Sequence, residues 1–138
     1  MSNKQINRHF ACDGIIIENE KILLIKRGAE PFKGEWAVPG GRIEENESAE
    51  QCLKREMKEE TGFDIESISL IGIYSNPERD PRGIIAATYL CKIIKGIAKG
   101  GSDASEARWF DLKTLPKLAS DHGKMVEDAL LLLRIQRK

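Results

Sequence analysis

Three glutamates within about one turn of a predicted helix are the side chains of this sequence best suited to chemistry. At about 100° per residue, Glu56, Glu59 and Glu60 fall on or beside the continuation of an apolar stripe, although an amphipathic helix usually keeps its charges on the opposite face. Carboxylates turned together towards the protein repel one another and resist desolvation, so they require a cation. Mg²⁺ commonly combines a few carboxylates with substrate phosphates. The cluster therefore indicates a divalent-metal site; the alternative is a solvated edge paired with neighbouring basic residues.

The sequence around these glutamates predicts a loop, a helix and a second loop. The apolar stripe of the helix is formed by Ala49, Cys52, Leu53 and Met57, and its polar face by Glu50, Gln51, Lys54, Arg55 and Lys58. Ser48, followed by Gln51 three residues later, is typical of a capping box at a helix start. Gly62 stands where a helix ends in a left-handed residue, and Gly40 and Gly41 favour a turn with close backbone approach.

This stretch resembles the Nudix box, whose pattern is G-x5-E-x7-R-E-U-x-E-E-x-G-U with U a bulky apolar residue. All nine defined positions are filled within a 23-residue frame, by Gly41, Glu47, Arg55, Glu56, Met57, Glu59, Glu60, Gly62 and Phe63. Nine matched positions make a far more specific signal than a single glycine motif. The resemblance implies a Mg²⁺-dependent hydrolase of nucleoside diphosphates linked to another moiety, with Mn²⁺ as the alternative metal.

The resemblance also implies a role for each polar position of the motif. The implied metal ligands are the carbonyl of Gly40 and the carboxylates of Glu56, Glu59 and Glu60. Arg55 would orient Glu56, and the structural positions would be Gly41, Glu47, which braces the loop, and Gly62. The family often takes a further ligand or general base from an acid in a loop before a strand, where Asp103 and Glu106 stand. The candidates for the base are therefore Glu59, Glu106 and Asp103, and simple solvent exposure is the alternative for the last two.

Length and composition favour a single domain spanning residues 1–138. A chain of 138 residues buries roughly two thirds of the surface that it exposes when unfolded. Lys plus Arg and Asp plus Glu number 22 each, so the chain lacks the broad basic field that sequence-independent nucleic-acid binding requires. The three cysteines show no CxxC spacing and lie in apolar contexts, which predicts buried thiols. With neither an apolar secretion signal nor a membrane span of about 18 apolar residues, a cytoplasmic protein is expected.

The order of predicted elements favours an α/β (α+β) sandwich with helices on both sides of a central mixed sheet. Strands are predicted at 10–17 and 21–26 as a hairpin, then at 65–75 and 83–94 as an antiparallel pair, and at 106–112. The motif helix lies between the first two pairs, and a final helix runs from about Ser120 to Gln136, capped by Ser120 or Asp121. The Nudix resemblance implies the same fold. His122 is expected to be a surface residue in the first turn of that last helix.

Substrate-binding candidates lie in two loops rich in proline or glycine. In the first, which follows Arg27, Trp36 is expected to cap the core, whereas Phe32 either caps the core or stacks on a base. The second loop, SNPERDPRG, carries Arg79 and Arg82, whose planar guanidinium groups suit phosphate. The alternative is that these two arginines pair locally with Glu78 and Asp80.

Both loops also resemble the ADP-ribose pyrophosphatase branch of the family, in which a proline some fifteen residues beyond the box is a marker. Pro77 lies fifteen residues after Gly62, and EPFKGEWAVPGG is similar to the corresponding segment. The implied reaction is hydrolysis of ADP-ribose to AMP and ribose 5-phosphate, with Arg27, Arg79 and Arg82 gripping the diphosphate or terminal ribose. Alternatives are a sanitiser of oxidised nucleoside triphosphates and a nucleotide-binding regulator without turnover. The expected partner is a small nucleotide diphosphate, with no nucleic acid or membrane, and a homodimer is left open.

Overall fold

The computed structural model describes residues 5, 7–96 and 104–136. The elements, in chain order, are β1 (Phe10–Glu18), β2 (Lys21–Arg27), β3 (Trp36–Ala37), β4 (Gly40–Arg42), α1 (Ala49–Thr61), β5 (Phe63–Tyr74), β6 (Ile85–Gly96), β7 (Ala104–Asp111) and α2 (His122–Gln136). The predicted strands and helices are thus present, with end points shifted by a few residues. Two short strands, β3 and β4, were not predicted, because two or three residues carry too little alternation to be recognised.

The strands in the described part of the chain form a mixed sheet of seven strands. Its main order is β3-β2-β1-β6-β5, while β4 pairs with β1 and β7 pairs with β2. The β1 and β6 strands are parallel, and the other pairs are antiparallel, including the predicted β1–β2 and β5–β6 pairs. In the first hairpin, Asn19 and Glu20 both have positive φ angles, 53° and 63°, as a two-residue turn between twisted strands requires.

The sheet is covered on both faces, as the run of isoleucines in β1 predicts. Ile16 is fully buried with Cys52, Leu53 and Met57 of α1, whereas Ile15, the adjacent residue, is fully buried in a second cluster that includes Met125, Val126 and Ala129 of α2. Because successive side chains of a strand point to opposite faces, the two helices lie on opposite sides of the sheet. This arrangement confirms the predicted sandwich.

Helix α1 begins and ends as predicted. The Ser48 side chain accepts a hydrogen bond from the Gln51 backbone N–H, and the Gln51 side chain accepts one from the Ser48 backbone N–H. At the other end, Gly62 has φ 85° and donates its N–H to the Lys58 carbonyl. These caps fix the helix ends, and the strand pairing of Gly40 and Gly41 with β1 fixes the loop before it.

Two smaller expectations have different outcomes. Cys12, Cys52 and Cys91 are free thiols in the buried core, as expected. Helix α2, however, begins at His122 rather than Ser120: Ser120 has a positive φ of 52° and donates its hydroxyl to the Arg79 carbonyl. Asp121 immediately precedes the helix, but Arg79 occupies its carboxylate. No helix in the described residues is long and apolar enough to cross a bilayer.

Candidate functional site

A cleft of about 410 Å³ brings together residues from β1, the motif loop, α1, the loop between β5 and β6, and the start of α2. Its polar and glycine lining comprises Asp13, Arg27, Glu30, Gly40, Gly41, Arg42, Glu44, Arg55, Glu56, Glu60, Arg79, Asp80, Arg82 and His122. Of the residues singled out in the sequence, the cleft therefore contains part of the motif and all three candidate substrate arginines.

Arg55 is the centre of an ion-pair network on the motif side of the cleft. Its Nε and Nη2 donate to the two oxygens of Glu47 at 2.6 and 2.9 Å, and its Nη1 donates to Glu56 Oε1 at 2.6 Å. Two further carboxylates are slightly more distant: Glu44 Oε1 lies 3.1 Å from Arg55 Nε, and Glu59 Oε2 lies 3.3 Å from Arg55 Nη1. The Arg55 guanidinium lowers the pKa of Glu47 to about 2, helped by the Glu44 backbone N–H. Arg55 thus holds Glu56 from one side and ties it to the loop through Glu47.

Gly41 is required by the position of the Glu56 carboxylate. A Cβ atom built on Gly41 would lie only 2.1 Å from Glu56 Oε2 and 2.3 Å from its carboxyl carbon, distances that real Cβ atoms do not adopt. The carboxylate therefore rests against the backbone of the motif loop. A similar Cβ on Gly40 would lie 2.3 Å from the Cys12 carbonyl oxygen, so this glycine is required by backbone packing on β1.

The other two glutamates of the cluster differ in position. Glu60 is 8% exposed and lines the cleft. The Glu59 side chain is 49% exposed, is absent from the cleft lining and faces Arg55. No group of three or more His, Cys, Asp or Glu side chains in the described residues is arranged to hold a metal ion. The prediction of three inward carboxylates therefore needs a correction: two line the cleft, and the third is in the surface pairing that was the alternative.

These donors nevertheless suit a hard divalent cation. Glu56 and Glu60 supply carboxylate oxygens in one cleft, next to the backbone of Gly40, and oxygen is the ligand type that Mg²⁺ and Mn²⁺ prefer. The space that a side chain at Gly41 would fill is taken by one of these carboxylates. The residues present therefore fit the group that the motif implies.

Arg79 does not make the local pair considered for it. Its Nε and Nη2 donate to the two oxygens of Asp121 at 2.9 and 2.7 Å, and its Nη1 donates to the Ile84 carbonyl at 2.9 Å. The side chain is only 4% exposed. The expected partner Glu78 is replaced by a carboxylate 42 residues away, because the chain between β5 and β6 folds back onto the start of α2.

Arg82 makes the local pair that was considered for it. Its Nη2 and Nε donate to the carboxylate oxygens of Asp80 at 2.8 and 3.1 Å, and its backbone N–H donates to the same carboxylate. Asp80 is buried, whereas the Arg82 side chain is about one third exposed and still lines the cleft. A local pair and a position in the cleft are therefore compatible for this residue.

Asp13 was not among the predicted site residues. His122 is in the first turn of α2, as expected, but the expected surface position is wrong. His122 is half-buried in the cleft rather than on the outer surface, and its Nδ1 accepts the Val38 backbone N–H at 2.9 Å. Burial, with the nearby Arg79 charge, lowers its pKa to about 4. Asp13 is buried, and burial raises its pKa to about 7. An aspartate in a strand predicted to be buried on both faces was the available signal for this site.

Several candidates lie outside the cleft. Phe32 packs against Ile25, Ala37 and Ala119, which is the core-capping alternative. Trp36 packs in the core beside Phe110, with ring centroids 4.6 Å apart. Glu106 pairs with Arg108 at 2.8 Å on β7, and Asp103 lies outside the described residues. Arg27, by contrast, does line the cleft and donates its Nε to the Pro31 carbonyl at 2.7 Å.

Comparison with known proteins agrees with this geometry. The model of the NUDIX domain matches residues 8–129, and the chain belongs to that family. It is 52% identical over 119 residues to an ADP-ribose pyrophosphatase of Methanocaldococcus jannaschii, covering 86% of this chain and 70% of that protein. It is 31% identical over 115 residues to the ADPR responsive transcriptional repressor NtrR of Acinetobacter baylyi, covering 79% of this chain but only 46% of the repressor.

The solved structures include a ligand complex. The NUDIX domain of Shewanella oneidensis NrtR, crystallised with ADP ribose, superposes with a TM-score of 0.80 at 28% identity, covering 94% of this chain and 90% of that domain. The mixed sheet between two helices is therefore the Nudix fold.

Proposed function

We propose that this protein is a divalent-metal-dependent Nudix pyrophosphohydrolase that hydrolyses ADP-ribose to AMP and ribose 5-phosphate. The observation that carries this proposal is the 52% identity to an ADP-ribose pyrophosphatase across 86% of the chain, together with a complete motif. The cleft supports it, because it combines acidic residues with three arginines, the charges needed to hold a metal and a diphosphate at one place.

Glu56, Glu60 and the backbone of Gly40 would hold Mg²⁺ or Mn²⁺, whereas Glu59, which pairs with Arg55 outside the cleft lining, would be left to act as the base. The metal would supply Lewis-acid stabilisation of charge on the diphosphate and a more acidic water. Arg55 orients Glu56 through the 2.6 Å contact and is itself anchored by Glu47. Arg27, Arg79 and Arg82 contribute positive charge to the same cleft, where the diphosphate would lie.

The general base must be an acid that can deprotonate a water beside the diphosphate, and the candidates are Glu59, Glu106 and Asp103. Glu59 is the favoured candidate of the three because it is a motif residue adjoining the cleft glutamates, whereas Glu106 is engaged by Arg108 on β7. A base must come within hydrogen-bond reach of the water that it deprotonates. Glu59→Gln and Glu106→Gln separate the two, because only loss of the base should flatten the acid limb of the pH–rate profile.

A second candidate is an ADP-ribose-binding regulator without turnover, and the similarity to the transcriptional repressor NtrR favours it. The chain spans less than half of that repressor, so the similarity concerns the NUDIX part alone. The full Arg55, Glu56, Glu59 and Glu60 set favours the enzyme, since a binding protein has no need of a base.

The test is a substrate panel measured by release of the nucleoside monophosphate, which is AMP for ADP-ribose. The panel contains ADP-ribose, an oxidised nucleoside triphosphate and an unmodified triphosphate, each assayed after metal stripping and again with added Mg²⁺ or Mn²⁺. We expect the highest kcat/KM with ADP-ribose and no turnover in excess chelator. Full turnover in chelator would refute the metal site, a better triphosphate substrate would refute the substrate, and ADP-ribose binding without any AMP release would favour the regulator.

A further inference from the structure

The imidazole of His122 is held in one protonation state by its backbone partner. Nδ1 accepts a hydrogen bond from the Val38 N–H at 2.9 Å, so Nδ1 carries no proton. A neutral imidazole then has its proton on Nε2. Burial and the Arg79 charge disfavour a second proton. His122 is therefore a neutral hydrogen-bond donor through Nε2–H.

This donor has a place to act. His122 lines the cleft while its Nδ1 is directed at Val38, and the structure shows no acceptor for Nε2–H among residues 5, 7–96 and 104–136. The nitrogen is not enclosed in the core, because the side chain is only half-buried. A polar group that is left open in a cleft is available to a ligand.

The position of the donor is fixed by the residue before it. Asp121 is held by the two hydrogen bonds of Arg79, and Ser120 donates its hydroxyl to the Arg79 carbonyl. Arg79 is itself tied to the Ile84 carbonyl at 2.9 Å. The first residue of α2 is thus fixed against the loop between β5 and β6, and a donor fixed in advance loses little conformational entropy when it binds.

We propose that His122 contacts the substrate and donates its Nε2–H to an oxygen of the nucleotide, either a phosphoryl oxygen or a ribose oxygen. This inference rests on the proposed function, and it adds a specificity-determining residue outside the motif. A donor to an oxygen whose charge changes little during the reaction binds substrate and transition state about equally, so for such an oxygen the loss of the His122 donor should act mainly on KM.

Two substitutions separate the two edges of the ring. In His122→Asn, the side-chain oxygen takes the place of Nδ1 and accepts the Val38 N–H, but the Nε2 donor is lost. In His122→Gln, the terminal amide reaches the place of Nε2 and can donate, but the acceptor for Val38 is lost. The matched control is Glu127→Gln, an exposed position on the same helix.

For ADP-ribose we expect His122→Asn to raise KM about five- to tenfold with nearly unchanged kcat and thermal stability, a loss near 1 kcal/mol. His122→Gln should keep KM within about twofold of the wild type while its Tm falls. A purely structural histidine gives the reverse, with wild-type kinetics for His122→Asn, and that result would overturn the proposal.

The products identify which oxygen is bound. We expect competitive inhibition by AMP or by ribose 5-phosphate, but not by both, to weaken in His122→Asn, which places the contact at that end of the substrate. Equal inhibition constants in wild type and variant for both products would count against the proposal.

Failure of the proposed function gives a different result. If the wild type releases no AMP from ADP-ribose, calorimetry with ADP-ribose still compares His122→Asn with the wild type: weaker binding supports the contact, and equal binding refutes it.

Discussion

Arg55 and Arg79 both line the cleft, but they are bound in opposite ways. Arg55 is 26% exposed and is shared among Glu44, Glu47, Glu56 and Glu59. Arg79 is 4% exposed, and each of its three nitrogens donates to either the Asp121 carboxylate or the Ile84 carbonyl. One arginine faces an excess of negative charge, whereas the other is matched to a single carboxylate.

The difference separates a part of the cleft that can rearrange from a part that cannot. If one carboxylate moves from Arg55 to a metal, other carboxylates still pair with the guanidinium. The free-energy cost of losing one such pair is small because the site is partly exposed. Breaking the Arg79–Asp121 pair would leave a charge in a buried place, which is expensive. We therefore expect substitutions on the Arg55 side to change activity, and substitutions at Arg79 to change stability first.

The largest effect is expected for Glu56→Gln. The substitution removes ligand charge but little volume, so most activity should be lost while the fold is retained. The measurement is kcat/KM for ADP-ribose with saturating Mg²⁺, beside circular dichroism. Glu50→Gln, an exposed position on the same helix, is the control. A loss below about tenfold, or about 1.4 kcal/mol of transition-state stabilisation, would show that Glu56 is peripheral.

Gly41→Ala should act on the same carboxylate from the opposite direction. The new Cβ would displace Glu56, whose Oε2 lies 2.1 Å from the ideal Cβ position, and a flexible side-chain end can move. We expect activity to fall by about an order of magnitude with a small change in Tm. Gly40→Ala is the contrast, because its Cβ meets the Cys12 carbonyl and should lower Tm as well as activity. Equal losses of stability in both variants would contradict this distinction.

Arg79→Ala should be the most destabilising of the arginine substitutions. It leaves the Asp121 carboxylate without its bidentate partner, and the loss is about 2 kcal/mol for this part-buried pair, or roughly 5–10 °C in Tm. Chemical denaturation and calorimetry measure both values. Glu78→Ala should leave Tm unchanged, because this exposed residue is not the partner of Arg79. If Glu78→Ala were as destabilising as Arg79→Ala, the long-range pair would not be the stabilising contact.

A smaller effect is expected from pH. The pKa of His122 is lowered in the folded protein to about 4, from 6.5. The unfolded chain therefore takes up a proton first, so stability from His122 is complete above about pH 6.5 and is lost as the pH falls towards 4. The charged groups that act on it are Arg79, Asp121, Arg27 and Asp80.

Burial raises the pKa of Asp13 to about 7, so the contribution of Asp13 to stability rises as the pH falls, the opposite of His122. Asp13 is present in both the wild type and His122→Asn, so its contribution cancels when the two proteins are compared. As the pH falls from 7 to 4.5, the unfolding free energy of His122→Asn should rise relative to that of the wild type, because only the wild type loses the His122 contribution. A pH-independent difference would show that His122 titrates normally.

The sequence predicted the Arg55 side of the cleft because its partners lie within one short segment. The capping box, the glycine at the end of α1 and the apolar stripe all follow from fixed spacings. The carboxylates that pair with Arg55 all lie in the segment from Glu44 to Glu59. The Arg79–Asp121 pair spans 42 residues, and the Val38–His122 hydrogen bond spans 84. No local periodicity encodes such contacts, so the local pair considered for Arg79 and the surface position expected for His122 were both wrong.

The direction of the Glu59 side chain was likewise beyond the reach of helical spacing. A side chain at the edge of the apolar stripe can point either towards the protein or towards solvent. Glu59 points towards solvent because its carboxylate pairs with Arg55, one helical turn earlier. Glu60, one position further along, is buried in the cleft.

The smallest effect is expected for Arg82→Ala, which decides whether the SNPERDPRG loop recognises substrate. The substitution removes a pair with buried Asp80, but Asp80 keeps the backbone N–H of residue 82, so the stability cost should stay below about 1 kcal/mol. Because the side chain also lines the cleft, a grip on the diphosphate would raise KM for ADP-ribose a few-fold, whereas a purely local pair would leave kinetics unchanged. Arg82→Lys keeps the charge but loses the planar fork, and should fall between the two. If Arg82→Ala has wild-type kinetics and Arg79→Ala loses only stability, the loop has a structural role in connecting β5 and β6 to α2. The diphosphate would then be recognised by Arg27 and the metal.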